Sequence, residues 1–146
     1  MGKLFIVSTP IGNLKDITLR AIEILSSANI ILCEDTRKTG LLLTATQIKS
    51  KKLLSYYEEN ELQRIPEIIQ LIKEGADIVL VSNAGTPTIS DPGYKLVRES
   101  LNQGIIVEAI PGASALLTAH VSSRLPTDKF MYLGFLPEKQ VKKREI

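Results

Sequence analysis

Ile78-Val79-Leu80-Val81-Ser82-Asn83-Ala84-Gly85-Thr86-Pro87-Thr88-Ile89-Ser90-Asp91-Pro92-Gly93 is the stretch whose reading decides the fold. Its first four residues are apolar without alternation, the pattern of a strand covered on both faces. The strand breaks into a loop of Ser, Asn, Gly, Thr, Pro and Asp. Gly85 permits torsions and close approaches that a side chain forbids, while Pro87 and Pro92 stiffen the chain and remove two amide donors. Asp91 followed by Pro92 predicts a helix start, with an acceptor at the cap and proline in the first turn. A loop that leaves the carboxyl end of a buried strand and feeds a helix is where open α/β sheets bind small ligands.

The same unit recurs on either side. Leu4-Phe5-Ile6-Val7 predicts a first strand, ending in Ser8-Thr9-Pro10-Ile11-Gly12-Asn13-Leu14. Asp16 is the expected cap of a helix carrying Ile17, Ala21, Ile24, Leu25 and Ala28 at helical spacing. Ile30 to Cys33 is a second strand, running through Glu34-Asp35-Thr36-Arg37 into a short helix around Gly40 to Ala45. Lys52 to Tyr56 reads as a third strand. A helix with Ile65, Ile68, Ile69 and Ile72 follows, started or kinked by Pro66 and stopped at Gly75. After the central strand, a helix from about Gly93 to Gln103 is expected to bury Tyr94, Val97 and Leu101 and to end at Gly104. Ile105 to Ile110 makes a fifth strand, Pro111-Gly112-Ala113-Ser114 a loop, and a further helix reaches about Ser123. Phe130 to Phe135 reads as a sixth strand or the start of a linker.

Repeated strand-helix alternation implies a mainly parallel five-stranded sheet with helices on both faces. The loops after strands one, two, four and five then share one edge. That rim gathers Pro10, Gly12, Asn13, Glu34, Asp35, Arg37, Asn83, Gly85, Thr86, Asp91, Gly112 and Ser114.

Composition narrows the classes. The 146 residues are 44% hydrophobic and 23% charged, a globular composition of one ordinary domain. A net charge of +2 is too small to argue for nucleic acid by itself. Cys33 is the single cysteine, which excludes an intrachain disulfide and a cysteine-rich metal site and fits a reducing cytosol; no metal is expected. No apolar run reaches membrane-spanning length, and Met1-Gly2-Lys3 leads directly into the first strand pattern, so neither a membrane span nor a signal peptide is expected. The phosphate-binding G-x-x-x-x-G-K-[ST] loop, the dinucleotide G-x-G-x-x-G turn and the hydrolase G-x-S-x-G elbow are all absent. From the residues alone, the rim suits a small polar ligand with a flat heterocycle.

Five segments in order carry a resemblance. They are Ser8 to Leu14, Glu34-Asp35-Thr36-Arg37, Ser82 to Pro87 with Asp91-Pro92-Gly93, Pro111-Gly112-Ala113-Ser114, and Leu125-Pro126-Thr127-Asp128 with Gly134-Phe135-Leu136-Pro137. Together the chain resembles the tetrapyrrole-methylase superfamily of S-adenosylmethionine (SAM) enzymes, within it the branch that methylates a cytidine ribose 2′-hydroxyl in 16S ribosomal RNA. The resemblance implies a SAM-dependent methyltransferase, cytoplasmic and homodimeric, acting on 16S rRNA or the 30S subunit. It further implies that residues 1–136 form the SAM-binding N-terminal α/β domain and that 137–146 begin a basic linker to a second domain. Non-catalytic dimerisation or ligand binding by a half-enzyme, and methylation of a tetrapyrrole, are the alternatives. The family usually has Asp where Asn83 stands, histidines where Tyr57 and Glu59 precede Asn60-Glu61, Pro where Ala113 stands, and commonly Gly where Arg124 stands.

Given such chemistry, Asp35 and Glu34 are the catalytic candidates, since an acid pair at a strand end reaches a cleft floor. Asp35 alternatively caps the following helix or pairs with Arg37. The SAM-contacting candidates are Pro10, Asn83, Ala84, Gly85, Thr86, Pro87, Asp91, Pro111, Gly112, Ser114 and Ala115; turn geometry is the plainer role for each glycine and proline. For RNA, the candidates are Arg37 and the basic tail Lys142, Lys143 and Arg144. Tyr56 and Tyr57 offer rings either to a nucleobase or to packing. His120 and Cys33 read as packing residues.

Overall fold

The computed structural model describes residues 1–49 and 51–135. The chain divides into two compact units, Met1–Ala115 and Leu116–Ile146.

The first unit holds five strands: β1 (Leu4–Val7), β2 (Ile30–Cys33), β3 (Lys52–Ser55), β4 (Ile78–Val81) and β5 (Val107–Ile110). All pair in parallel, in the order β3-β2-β4-β1-β5. β1, β2 and β4 are buried along their whole length, as an apolar run without alternation requires. Successive residues face opposite layers. Leu4, Ile6, Ile30, Leu32, Ile78 and Leu80 pack with Ile68, Ile69 and Ile72 of α3 (Glu61–Lys73) and Leu96 of α4 (Tyr94–Asn102). Phe5, Val7, Ile31, Cys33, Val79 and Val81 pack with Ala21 and Leu25 of α1 (Leu19–Ser27) and Leu43 of α2 (Thr36–Ala45). The chain thus travels outward from β1 to β3 with its helices on one face. It then reverses and travels from β3 to β5 with its helices on the other, as a constant crossover hand demands. The adjacent strands β1 and β4 therefore send their following helices to opposite faces, which opens a crevice at their carboxyl ends.

Several details depart from the sequence reading. Thr18, not Asp16, caps α1, its hydroxyl accepting the Ala21 amide at 3.0 Å; Asp16 belongs to a short 3-10 turn, Leu14–Asp16. α2 begins at Thr36, well before Gly40, because Asp35 caps it. Pro66 lies inside α3 and does not start it. Asp91 is not the cap of α4: that position falls to Gly93, with no side-chain cap, and the first turn closes through the Val97 amide to the Gly93 carbonyl at 2.9 Å. The buried stripe of α4 is Leu96 and Ser100, with Val97 half-buried, while Tyr94 and Leu101 are exposed. At 100° per residue, positions 94 and 101 lie roughly a quarter turn or more from the 96–100 stripe. Tyr56 is fully buried in the α3 layer, so its ring cannot meet a base.

α5 (Ala115–Val121) leads into the second unit. There the His120 ring lies 4.8 Å from Phe130, the packing role expected of it. Residues 130–135 form no strand.

Candidate functional site

The strand registers Val7↔Ile110, Cys33↔Val81 and Cys33↔Ser55 place all the carboxyl termini on one edge. The loops after β1, β2, β4 and β5 are laced together there. Thr9 and Gly85 exchange backbone hydrogen bonds at 2.9 and 3.0 Å, joining the β1 and β4 loops. The Ser8 and Thr86 hydroxyls lie 2.9 Å apart, and the Thr86 hydroxyl donates to the Ala113 carbonyl at 3.4 Å, bringing in the β5 loop. A Cβ on Gly112 would stand 2.9 Å from that of Ser8, so only glycine allows this approach. The Glu34 carboxylate accepts the Asn83 amide at 3.3 Å, tying β2 to β4.

A hollow of about 260 Å³ opens at this edge, lined by Pro10 and Asn83 together with Leu14, Lys38 and Leu42. Thr9, Thr39, Leu41 and Ser82 complete it, giving mostly apolar walls with a few hydroxyl and amide groups. Of the residues singled out in the sequence, Asn83, Ala84, Pro111, Gly112 and Ala115 are exposed on the edge, whereas Gly85 and Pro87 are buried and shape the loop. Asp91 falls in a separate hollow of about 270 Å³ that also includes Glu61, Gly93 and Lys95. Burial pushes the Asp91 carboxyl above its ordinary value, against the Ser82 hydroxyl.

Asp35 takes both of the roles weighed beside catalysis. It accepts the Arg37 amide at 2.9 Å as the cap of α2, and grips the Arg37 guanidinium through Nε at 3.1 Å and Nη2 at 2.9 Å. The Arg37 contacts hold its carboxyl down at about 2. Lys142, Lys143 and Arg144 lie outside the described residues.

Two features escaped the sequence reading. Lys38 and Thr39 border the hollow because α2 starts a turn early, a consequence of the Asp35 cap that the Asp-Thr-Arg spelling does contain. Glu61, buried beside Tyr56, ties the end of β3 to the start of α4, and no local pattern marks it. Among the described residues, no cluster of His, Cys, Asp or Glu could hold a metal ion, and no helix is long and apolar enough to cross a membrane.

Fold and edge together define an α/β protein with a ligand crevice where its strand order reverses. The chain belongs to the tetrapyrrole (corrin/porphyrin) methylases, whose family model matches residues 3–144. It is 55% identical, over 94% of its length, to ribosomal RNA small subunit methyltransferase I of Hydrogenobaculum sp. (strain Y04AAS1). It is 52% identical, over 99% of its length, to the protein of that name from Thermotoga maritima. The chain spans 60% and 64% of the lengths of these two relatives. Among solved structures, uroporphyrin-III-C-methyltransferase from Thermus thermophilus matches with a TM-score of 0.64 at 25% identity, over 86% of this chain and 53% of that one.

Proposed function

We propose that this chain is the donor-binding part of a SAM-dependent methyltransferase that methylates a cytidine ribose 2′-hydroxyl of 16S rRNA. The observation that carries the reading is the 52% identity to a small-subunit rRNA methyltransferase sustained over 99% of the chain. The tetrapyrrole alternative leans on uroporphyrin methylases at 25% identity and is correspondingly weaker. The hollow's chemistry agrees: its apolar walls suit a heterocycle, and Thr9, Ser82 and Asn83 suit the polar groups of the donor. At about 260 Å³ it lies below the roughly 300–1,000 Å³ of a complete ligand site, so these residues hold one portion of the donor.

A bound donor supplies a methyl already activated on sulfur, so the protein's part is alignment and proton handling. In this reading the Asn83–Pro87 and Pro111–Ala115 loops, with Pro10, hold the donor, and Asp91 acts on it from its own hollow through the Ser82 hydroxyl, which lines the donor hollow. Glu34 accepts the hydroxyl proton, since Asp35 is a weak base while Arg37 grips it. Arg37, its side chain 88% exposed even when paired, meets RNA phosphate, aided by Lys142, Lys143 and Arg144. The protein works in the cytoplasm as a homodimer.

Labelled SAM, offered to the protein with 30S particles and separately with a uroporphyrin, tests the reading. Label on cytidine ribose of 16S rRNA is the expected result; label on the tetrapyrrole overturns it.

A further inference from the structure

Glu61 is a carboxylate in the interior, 3% exposed at the first position of α3. Taking a carboxylate out of water is costly unless it is fully partnered. Its three partners come from two segments, the residue after β3 and the start of α4. Oε1 accepts the Tyr56 hydroxyl at 2.9 Å and the Gly93 amide at 3.0 Å, and Oε2 lies 3.0 Å from the Lys95 ammonium. Burial by itself raises the Glu61 carboxyl, yet Lys95, Tyr56 and the Gly93 amide together bring it below its ordinary value, so the ion persists. Burial, reinforced by Glu61, pushes the Tyr56 phenol up and keeps it a donor.

The segment that Glu61 meets is the far end of the β4–α4 loop. Thr88 and Ser90 stand in that loop at φ +73° and +60°. A β-branched residue in this region is strained, and such strain persists only where the surroundings over-determine the backbone. At the near end the Thr9–Gly85 pair holds the loop. At the far end Gly93, at φ +129°, lies so close to Leu80 and Thr88 that a Cβ would stand 2.5 Å from Leu80 Cδ2. No side chain caps α4 there.

We propose that Glu61 is a positioning residue for the donor site: by holding the Gly93 amide it fixes the return of the Ser82–Gly93 loop and so the loop's ligand-facing backbone. The identity of the ligand rests on the function proposed above; the clamp itself does not.

The test compares Glu61→Leu, Glu61→Gln and a control, Leu25→Ala, which opens a cavity in the opposite layer. The glutamine keeps an Oε1 acceptor for Tyr56 and Gly93 but offers Lys95 no acceptor, and the 41%-exposed Lys95 side chain turns its ammonium to water. Two readouts are followed in the full chain: exchange of the Gly93 amide by NMR, and calorimetric affinity for S-adenosyl-L-homocysteine. Glu61→Leu is expected to speed Gly93 exchange and weaken affinity, each about tenfold. Glu61→Gln should keep both within about threefold, and Leu25→Ala should lower the melting temperature without moving either. If the leucine variant does not fold, Glu61→Asp, one methylene short of Gly93, is read in its place. The proposal is overturned if the shortened or apolar variant matches Leu25→Ala in either readout, or if Glu61→Gln falls as far as Glu61→Leu. A wild-type protein that does not bind S-adenosyl-L-homocysteine would overturn the functional reading instead, and Gly93 exchange alone would then decide the clamp.

Discussion

Thr9 and Gly85 donate their amides to each other's carbonyls, at 2.9 and 3.0 Å, although they follow two different strands. This reciprocal pair extends the β1–β4 contact beyond the sheet and sets the spacing of the crevice walls. It also explains why residue 85 is glycine: its φ is +81°, while the nearest atom to an added Cβ, Ile11 Cγ2, is an acceptable 3.4 Å away. Backbone torsion, not crowding, is the constraint. Gly85→Ala should therefore cost about 1–2 kcal/mol, measured as a lowered urea midpoint. A cost near zero would show that the loop relaxes to another conformation.

Gly93 is constrained twice over, by φ +129° and by the 2.5 Å that would separate a new Cβ from Leu80 Cδ2. Leu80 is a core residue, 1% exposed, and has little room to move. Gly93→Ala should lose about 2–4 kcal/mol in equilibrium denaturation, more than Gly85→Ala, because overpacking adds to torsional strain.

Arg124 offers the converse case. The resemblance leads one to expect glycine there, and the backbone would favour it: φ is +63°. Arg124→Gly removes roughly 1–2 kcal/mol of left-handed strain but adds about 0.5–1 kcal/mol of chain entropy to the unfolded state. The net expectation is a gain of about 0.5 kcal/mol, visible as a raised melting temperature; a lowered one would contradict it.

Asp35 gives the stability an acid limb. Its carboxyl sits at about 2 when folded, held by Arg37, and nearer 3.8 without it. A folded pKa below the unfolded one means that the contribution is present above about pH 4 and is lost as pH falls toward 2. Asp35→Asn keeps a capping side chain but removes the titration. Its melting temperature should fall less steeply than the wild type's between pH 4 and pH 2, followed by circular dichroism.

How much of this was legible beforehand follows from which interactions are local. The strands β1, β2 and β4 were readable because unbroken apolar runs such as Ile78 to Val81 have few other ways to be buried. Their shared edge followed from chain order alone. Helix starts were less readable, since capping depends on which of several nearby acceptors wins: Thr18 over Asp16, and no side chain at all before Tyr94. The exposure of Tyr94 follows from the helix's rotation against the sheet, a tertiary quantity. Glu61 was the least accessible, because its partner Gly93 lies 32 positions away and neither residue's neighbours announce the other.

Asp91 brings stability and function into opposition. Burial raises its carboxyl above the ordinary value, with the Ser82 hydroxyl only partly offsetting this. The folded protein therefore holds the Asp91 proton more tightly than the unfolded chain does. Its favourable contribution exists below the unfolded pKa and disappears as pH rises through the folded one, so at pH 7 the charged side chain weakens the fold. Asp91→Asn should then melt at a higher temperature than the wild type at pH 7. The difference should close near pH 3, where both side chains are neutral; the acid limb of Asp35 is common to both proteins and cancels. If Asp91 also acts on the donor, as proposed, the stabler variant should bind S-adenosyl-L-homocysteine more weakly. Scanning fluorimetry at the two pH values, beside calorimetry at pH 7, separates the outcomes. Higher stability with lost affinity is what a functional carboxylate kept at the expense of the fold predicts, whereas higher stability with full affinity would remove Asp91 from the binding site.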